Sequence, residues 1–188
     1  MLNLPHVAPL ASFVQSLRAA RPDLLFPDFD PLDGGVGADM LFLLEKPGPT
    51  TCAPGGSGFV SRDNDTQTAQ AIRRFMAEAG TPRARTALWN AIPSWNGTIK
   101  TTVAERRDGL QTLKALVPLL PNVRTAVLVG GAAHRAAPFF EARSLRVFRS
   151  AHPSPQVRAA RPDLWRAIPH RWAEAARAAG DDSAACAV

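Results

Sequence analysis

The chain of 188 residues is 46% hydrophobic, which predicts one domain over residues 1–188, and no stretch approaches the ~18 apolar residues of a membrane span. Basic residues outnumber acidic ones by 22 to 16, and all but three are arginine; this surplus suits phosphate contacts, but biased composition explains it equally well. Two cysteines far apart in sequence cannot supply the four thiolates of an iron–sulfur cluster or a structural zinc site, so we expect no metal and no cofactor.

The first half of the chain carries two short apolar runs separated by a helical pattern. Residues 1–25 predict an added N-terminal helix, and the first strand is predicted over residues 40–44. A helix is predicted over residues 65–79, where apolar residues recur at helical spacing before a glycine. The second strand is predicted over residues 86–92, which are almost continuously apolar.

The same alternation continues in the second half. Thr102 and Glu105 predict a capping box at the start of a helix. A strand is predicted over residues 126–129, a helix after Gly131, and a last strand over residues 146–149.

The chain is predicted to end in a helix over residues 162–179, interrupted at Pro169, and a flexible tail over residues 180–188. Strands that alternate with helices predict an α/β fold: a three-layer α/β/α sandwich around a sheet of about four parallel strands. In such sheets, ligands bind beyond the carboxyl ends of the strands.

Residues that can take part in catalysis or binding stand at the ends of all four predicted strands. His152, which stands between a strand and two prolines, has the most restricted surroundings, so its ring can be aimed at one atom of a ligand. The segments at the four strand ends are Glu45-Lys46-Pro47-Gly48, Asn90-Ala91, Gly130-Gly131 and His152-Pro153-Ser154-Pro155.

Three of these segments resemble motifs of the uracil-DNA glycosylase superfamily: Glu-x-Pro-Gly at residues 45–48, Asn-Ala at residues 90–91 and His-Pro-Ser-Pro at residues 152–155. The order of motifs and intervening helices is similar over residues 38–178. The resemblance implies a monofunctional, monomeric glycosylase of base-excision repair, which flips uracil or another deaminated base out of DNA and hydrolyses its N-glycosidic bond. It implies two partners, DNA that contains such bases and the abasic product. The lack of a leader-like start and of a membrane span predicts a cytoplasmic location, nucleoid-associated in a bacterium.

The resemblance also implies roles for four residues near the base. The Asn90 carboxamide would read uracil by donating to O4 and accepting from N3–H, a pattern that cytosine reverses. Phe59 is placed like the aromatic residue that stacks on the flipped base. His152 would donate to uracil O2 as negative charge develops on the departing base. Glu45 is a candidate for positioning the attacking water.

Further residues are implied as contacts to the DNA. Small residues let backbone N–H groups approach phosphates, and the segment after the His-Pro-Ser-Pro motif supplies a wedge that enters the duplex. The candidate phosphate contacts are Lys46, Pro47, Gly48, Gly131 and Ser154, and the candidate wedges are Val157 and Arg158.

The sequence departs from the best-known branch of the superfamily at its first motif. The acidic residue that orients the water there corresponds to Lys46, so Glu45, Asp63 and Asn64 remain alternatives for this task. We expect Lys46 to stay protonated and to bind a phosphate or the leaving base, because nearby phosphates favour the charged amine over a nucleophilic one. The chain has no tyrosine, and Gly48 stands where that branch uses one to exclude thymine.

Two other functions remain open at this point. The chain could bind damaged or abasic DNA without catalysis, having lost the acid at Lys46, or it could be a nucleotide-processing α/β hydrolase unrelated to DNA. The four tryptophans are expected in the core, and Arg73-Arg74 and Arg106-Arg107 on solvated helix faces.

Overall fold

A computed structural model of the chain describes residues 1–185, with side chains for residues 1–180. The six strands are β1 (Asp28–Phe29), β2 (Met40–Leu44), β3 (Phe59–Val60), β4 (Thr86–Asn90), β5 (Thr125–Val129) and β6 (Arg146–Ser150). Four of them form an all-parallel sheet in the order β4-β2-β5-β6, flanked by helices. The predicted α/β fold with a four-stranded parallel sheet is therefore confirmed.

Helices of very different length connect these strands. The helices are α1 (Ala8–Ala20), α2 (Pro49–Cys52), α3 (Gln67–Glu78), α4 (Val103–Leu116), α5 (Gly131–His134), α6 (Ala137–Glu141), α7 (Pro155–Ala160), α8 (Pro162–Arg166) and α9 (Ile168–Ala185). The predicted capping box is present at α4: Thr102 accepts from the backbone of Glu105, and the Glu105 carboxylate accepts from the backbone of Thr102.

Several predicted boundaries differ from the observed ones. The helix predicted after Gly131 is split into α5 and α6, and Pro138 stands in the first turn of the second piece. The break in the last helix falls at Ala167 instead of Pro169, because a proline in the first turn of a helix removes no intrahelical hydrogen bond. Residues 180–185, predicted as part of a flexible tail, continue α9; residues 186–188 of that tail lie outside the described residues.

The core lies around β4, β2 and β5, three of the four strands of the main sheet. β4 and β5 are buried along their whole length, β2 along all but its last residue, and β6 exposes Arg146 and Arg149 at the edge. The N-terminal helix α1 contributes Leu10 and Val14 to this core. Within the described residues, none of the helices combines the length and the apolar character needed to cross a membrane.

The sequence did not predict the small second sheet, in which β1 and β3 pair in parallel. Each strand is only two residues long, too short for a period-2 pattern to be recognised. This sheet positions the loop between α2 and α3, which forms one side of the candidate site.

Candidate functional site

A cavity of about 240 Å³ lies at the carboxyl ends of the main strands. Its walls come from the end of β2 and the following loop, the end of β4, the first turn of α3 and the loop after β6. Sites for drug-sized ligands usually measure about 300–1,000 Å³, so this cavity suits a smaller group such as a single ring. It brings together Asn90 and His152, which lie 62 positions apart in the chain but at the same, carboxyl edge of the parallel sheet.

Asn90 is the last residue of β4 and lines the cavity. Register pairs it with Leu44, and the ladder continues past it because the Ala91 amide donates to the Leu44 carbonyl at 2.8 Å. The residue is only 3% exposed, yet no described residue hydrogen-bonds to its carboxamide. The carboxamide atoms are not among the fully buried polar atoms that lack a partner, so they reach the surface of the cavity, where a complementary ligand can bond to them.

His152 follows β6 and reaches the same cavity. No hydrogen bond joins its ring to any described residue, whereas the rings of His6 and His134 contact the carbonyls of Pro31 and Ser150 at 3.1 and 2.8 Å. Burial lowers the pKa of His152, and the nearby Glu45 carboxylate only partly opposes this. The imidazole is therefore neutral at pH 7, with one nitrogen able to donate and the other able to accept.

The Glu45 carboxylate forms a hydrogen bond at the start of α5. Its Oε1 accepts from the backbone N–H of Ala132 at 2.7 Å, beside Gly130. Gly130 has φ +93°, and a Cβ there would lie 2.7 Å from Glu45 Oε1, so the close approach requires glycine. The carboxylate thus fixes the start of α5 and is not among the groups that line the cavity.

The other two candidates for positioning water differ from each other. The Asp63 carboxylate accepts from Arg83 at 2.6 Å, away from the cavity lining. Asn64 lines the cavity, where its Nδ2 donates to the Phe59 carbonyl at 2.9 Å and its Oδ1 has no described partner. Of the three alternatives considered from sequence, Asn64 alone contributes to the cavity surface.

Lys46 also borders the cavity, but all three N–H donors of its ammonium group are used in hydrogen bonds within the protein. Nζ donates to Glu105 Oε1 at 2.6 Å, to Asn96 Oδ1 at 2.9 Å and to the Lys100 carbonyl at 2.9 Å. The side chain is 5% exposed, and its charge is compensated by Glu105. The expected phosphate contact would have to break these bonds; as it stands, Lys46 ties the cavity rim to the start of α4.

The other residues predicted to contact the base or the DNA differ in whether they line the cavity. Pro47 and Gly48 line it, and a Cβ on Gly48 would meet open space. Phe59 is half-buried on β3, where its neighbour Val60 supplies the apolar lining instead. Gly131 is exposed at the start of α5.

The segment after His152 forms the short helix α7. Ser154 caps it by accepting from the Val157 amide at 3.3 Å, so its hydroxyl is used locally. Val157 is half-buried, and the exposed Arg158 places its guanidinium 5.3 Å from the Trp165 ring. Neither candidate wedge lines the cavity.

Sequence reasoning missed the hydroxyl-rich wall of the cavity. Thr50, Thr51 and Ser61 come from the loop around α2 and β3, and Thr66 and Thr68 from the start of α3. The only signal was the density of Ser and Thr between residues 50 and 68, which is typical of any polar loop.

A buried ion cluster, also unforeseen, supports this wall. Ser61 donates to Asp30, which pairs with Arg83. Arg83 Nε and Arg62 Nη2 stand 3.0 and 3.2 Å from the same oxygen of Asp33. Burial raises the pKa of Asp33 to about 7 even though both guanidinium groups act to lower it.

The described residues contain no group of three or more His, Cys, Asp or Glu side chains arranged to hold a metal ion. Comparison of the chain with models of protein families and with curated proteins finds no match.

Proposed function

We propose that the chain is a DNA glycosylase that hydrolyses the N-glycosidic bond of uracil, and of other deaminated bases of similar shape, in base-excision repair. The observation that carries this proposal is the unpartnered carboxamide of the 3% exposed Asn90 in a cavity shared with the unpartnered ring of His152. The resemblance of residues 45–48, 90–91 and 152–155 to glycosylase motifs adds to it.

The Asn90 carboxamide suits uracil because it offers a donor and an acceptor side by side. Nδ2–H would donate to O4 and Oδ1 would accept from N3–H, whereas cytosine presents an amine and an unprotonated N3 at these positions. A small cavity admits the base only after extrusion from the stack, as for other enzymes that act on bases. The partner implied is DNA, and the product is DNA with an abasic site.

His152 serves the bond-breaking step. The C1′–N1 bond breaks with its electron pair moving to the base, and neutral His152 donates a hydrogen bond to O2, where the negative charge collects. A water oxygen then bonds to C1′, and its released proton balances the charge of the departing uracil anion. Asn64 Oδ1 is the free acceptor on the cavity wall that best suits the orientation of this water.

Incubation with labelled single-stranded oligonucleotides that each contain one modified base, followed by alkaline cleavage, tests the proposal. Uracil-dependent cleavage is expected, and Asn90→Asp should lose on the order of 2–4 kcal/mol of transition-state stabilisation, as for the loss of one fixed donor. Asn122→Asp, at an exposed site before β5, is the matched control and should act as wild type. Full activity in a folded Asn90→Asp protein would refute the assignment.

A second candidate function is non-catalytic binding of damaged or abasic DNA. The observation that favours it is the position of Glu45, whose carboxylate bonds to Ala132 and is not among the groups that line the cavity. Binding of uracil DNA without cleavage of any base in the panel would decide for this alternative. Failure to bind DNA at all would refute both.

A further inference from the structure

A groove of about 770 Å³ lies between α3 and the helices α7 and α8, next to the cavity. Three arginines line it: Arg73 and Arg74 from α3, and Arg158 from α7. Gln67 and Gln70 add neutral hydrogen-bonding groups. The groove is about three times as large as the cavity, so it suits an extended ligand.

The charge of the groove is unbalanced. No acidic side chain is among its lining residues, and neither Arg73 nor Arg158 forms an ion pair with any residue whose side chain is described. Arg74 pairs with Glu78 at 3.2 Å, but both groups are about half exposed, so this pair is weak in water. Free guanidinium groups along an open groove attract phosphate esters.

An aromatic ring lies among these cations. The guanidinium groups of Arg74 and Arg158 stand 4.9 and 5.3 Å from the Trp165 ring, and Trp165 itself lines the groove. Cationic side chains combined with an aromatic ring are typical of surfaces that follow a single nucleic-acid strand.

The groove is continuous with the candidate site through two elements. Pro153 and Pro155 line the groove, and His152, next to Pro153 in the chain, lines the cavity. Helix α3 turns Thr68 toward the cavity and Gln67 toward the groove. A strand whose nucleotide occupies the cavity would therefore have the groove beside it.

We infer that this groove, lined by Arg73, Arg74, Arg158 and Trp165, binds the phosphodiester backbone of the DNA strand that flanks the extruded nucleotide. The inference rests on the proposed function for the identity of the ligand. Its contacts go to the backbone, so they are independent of the base in the cavity. In this role Arg158 contacts phosphate and is not a wedge.

The test is the salt dependence of binding to a fluorescein-labelled, uracil-free single-stranded oligonucleotide, followed by anisotropy. Each phosphate contact to a single strand contributes about 0.7 to the slope of log Kd against log salt. Arg73→Gln/Arg158→Gln should lower the slope by about 1.4. Arg124→Gln/Arg143→Gln removes the same charge near the amino ends of β5 and β6, and should change the slope by less than half as much.

A gain of charge provides the complementary test. Gln70→Lys places a new cation in the groove at an exposed position and should raise the slope by about 0.7. Thermal unfolding of every variant confirms that the fold is intact. Equal slopes for the groove and control variants, or no binding of the uracil-free strand by wild type, would overturn the inference.

Excision assays separate this inference from the proposed function. Uracil excision by wild type together with control-like behaviour of the groove variants would refute the groove alone. Groove-dependent binding without excision of any base would refute the glycosylase and leave the groove as a DNA surface.

Discussion

Replacing Lys46 with methionine should destabilise the protein, because the buried ammonium is bonded only within the protein. Loss of one partner from a fully buried ion pair costs about 3–5 kcal/mol. Here Glu105 is 16% exposed and keeps bonds from the Thr102 amide at 2.7 Å and from Asn96 Nδ2 at 3.1 Å. We therefore expect Lys46→Met to lower the free energy of unfolding by about 2–3 kcal/mol, since a hydrogen bond to a charged group contributes about 1.5–3 kcal/mol.

For a chain of this length, each kcal/mol lowers Tm by about 2–4 °C, so calorimetry should show a decrease of roughly 4–12 °C. Lys114→Met, at an exposed position of α4, removes the same charge and should shift Tm by about 2 °C or less, as for ordinary surface substitutions. The double variant Lys46→Met/Glu105→Gln should be destabilised by less than the sum of the destabilisations of the two single variants. An unchanged Tm in Lys46→Met, with a lower salt slope for DNA binding, would refute this reasoning and assign the charge to phosphate.

Three further predictions concern pH and metal. Because burial lowers the pKa of His152, excision should decline only at a pH lower than that at which an ordinary histidine is protonated. His152→Ala should lose about a hundredfold in single-turnover rate and should lose this acidic limb. A decline that begins above pH 7 would contradict a neutral imidazole. Burial raises the pKa of Asp33 in the folded protein to about 7, above its ordinary 3.8. Wild type should therefore become less stable relative to Asp33→Asn as the pH rises from 4 to 7. Urea unfolding should show a change in this difference on the order of a few kcal/mol. A constant difference across this range would indicate an ionised Asp33. Excision measured with and without EDTA should be equal, and inhibition by the chelator would contradict the metal-free mechanism.

The main sheet could be predicted because its strands are apolar and continuous. Met40–Leu44 matched the prediction at both ends, since parallel strands covered on both faces leave no polar interruption. β6 was harder, because an edge strand carries Arg146 and Arg149 within its apolar pattern. The paired strands β1 and β3 could not be predicted, since a strand of two residues shows no alternation of apolar and polar positions.

The sequence could predict those residues of the candidate site whose position is set by the end of a strand. Asn90 ends one recognisable strand and His152 follows another, and the parallel topology alone brings them to the carboxyl edge of the sheet. The surroundings of both side chains depend on the loop of residues 50–68, which reaches the cavity through tertiary packing. No local pattern indicates which hydroxyl groups of such a loop face inward.

Adjacent residues at the end of β2 show the limit of motif reasoning most directly. Glu45 and Lys46 occupy the motif position at which a catalytic role is expected, yet Glu45 bonds to Ala132, 87 positions away, and Lys46 bonds to Glu105, 59 positions away. Successive side chains of an extended segment point in opposite directions, so two neighbours contact different elements. A motif therefore locates the strand end, while the partners of each side chain decide which of its groups remain free for a ligand. Asn90 meets that condition because it is buried and unpaired, and Lys46 fails it because all three of its donors are already used.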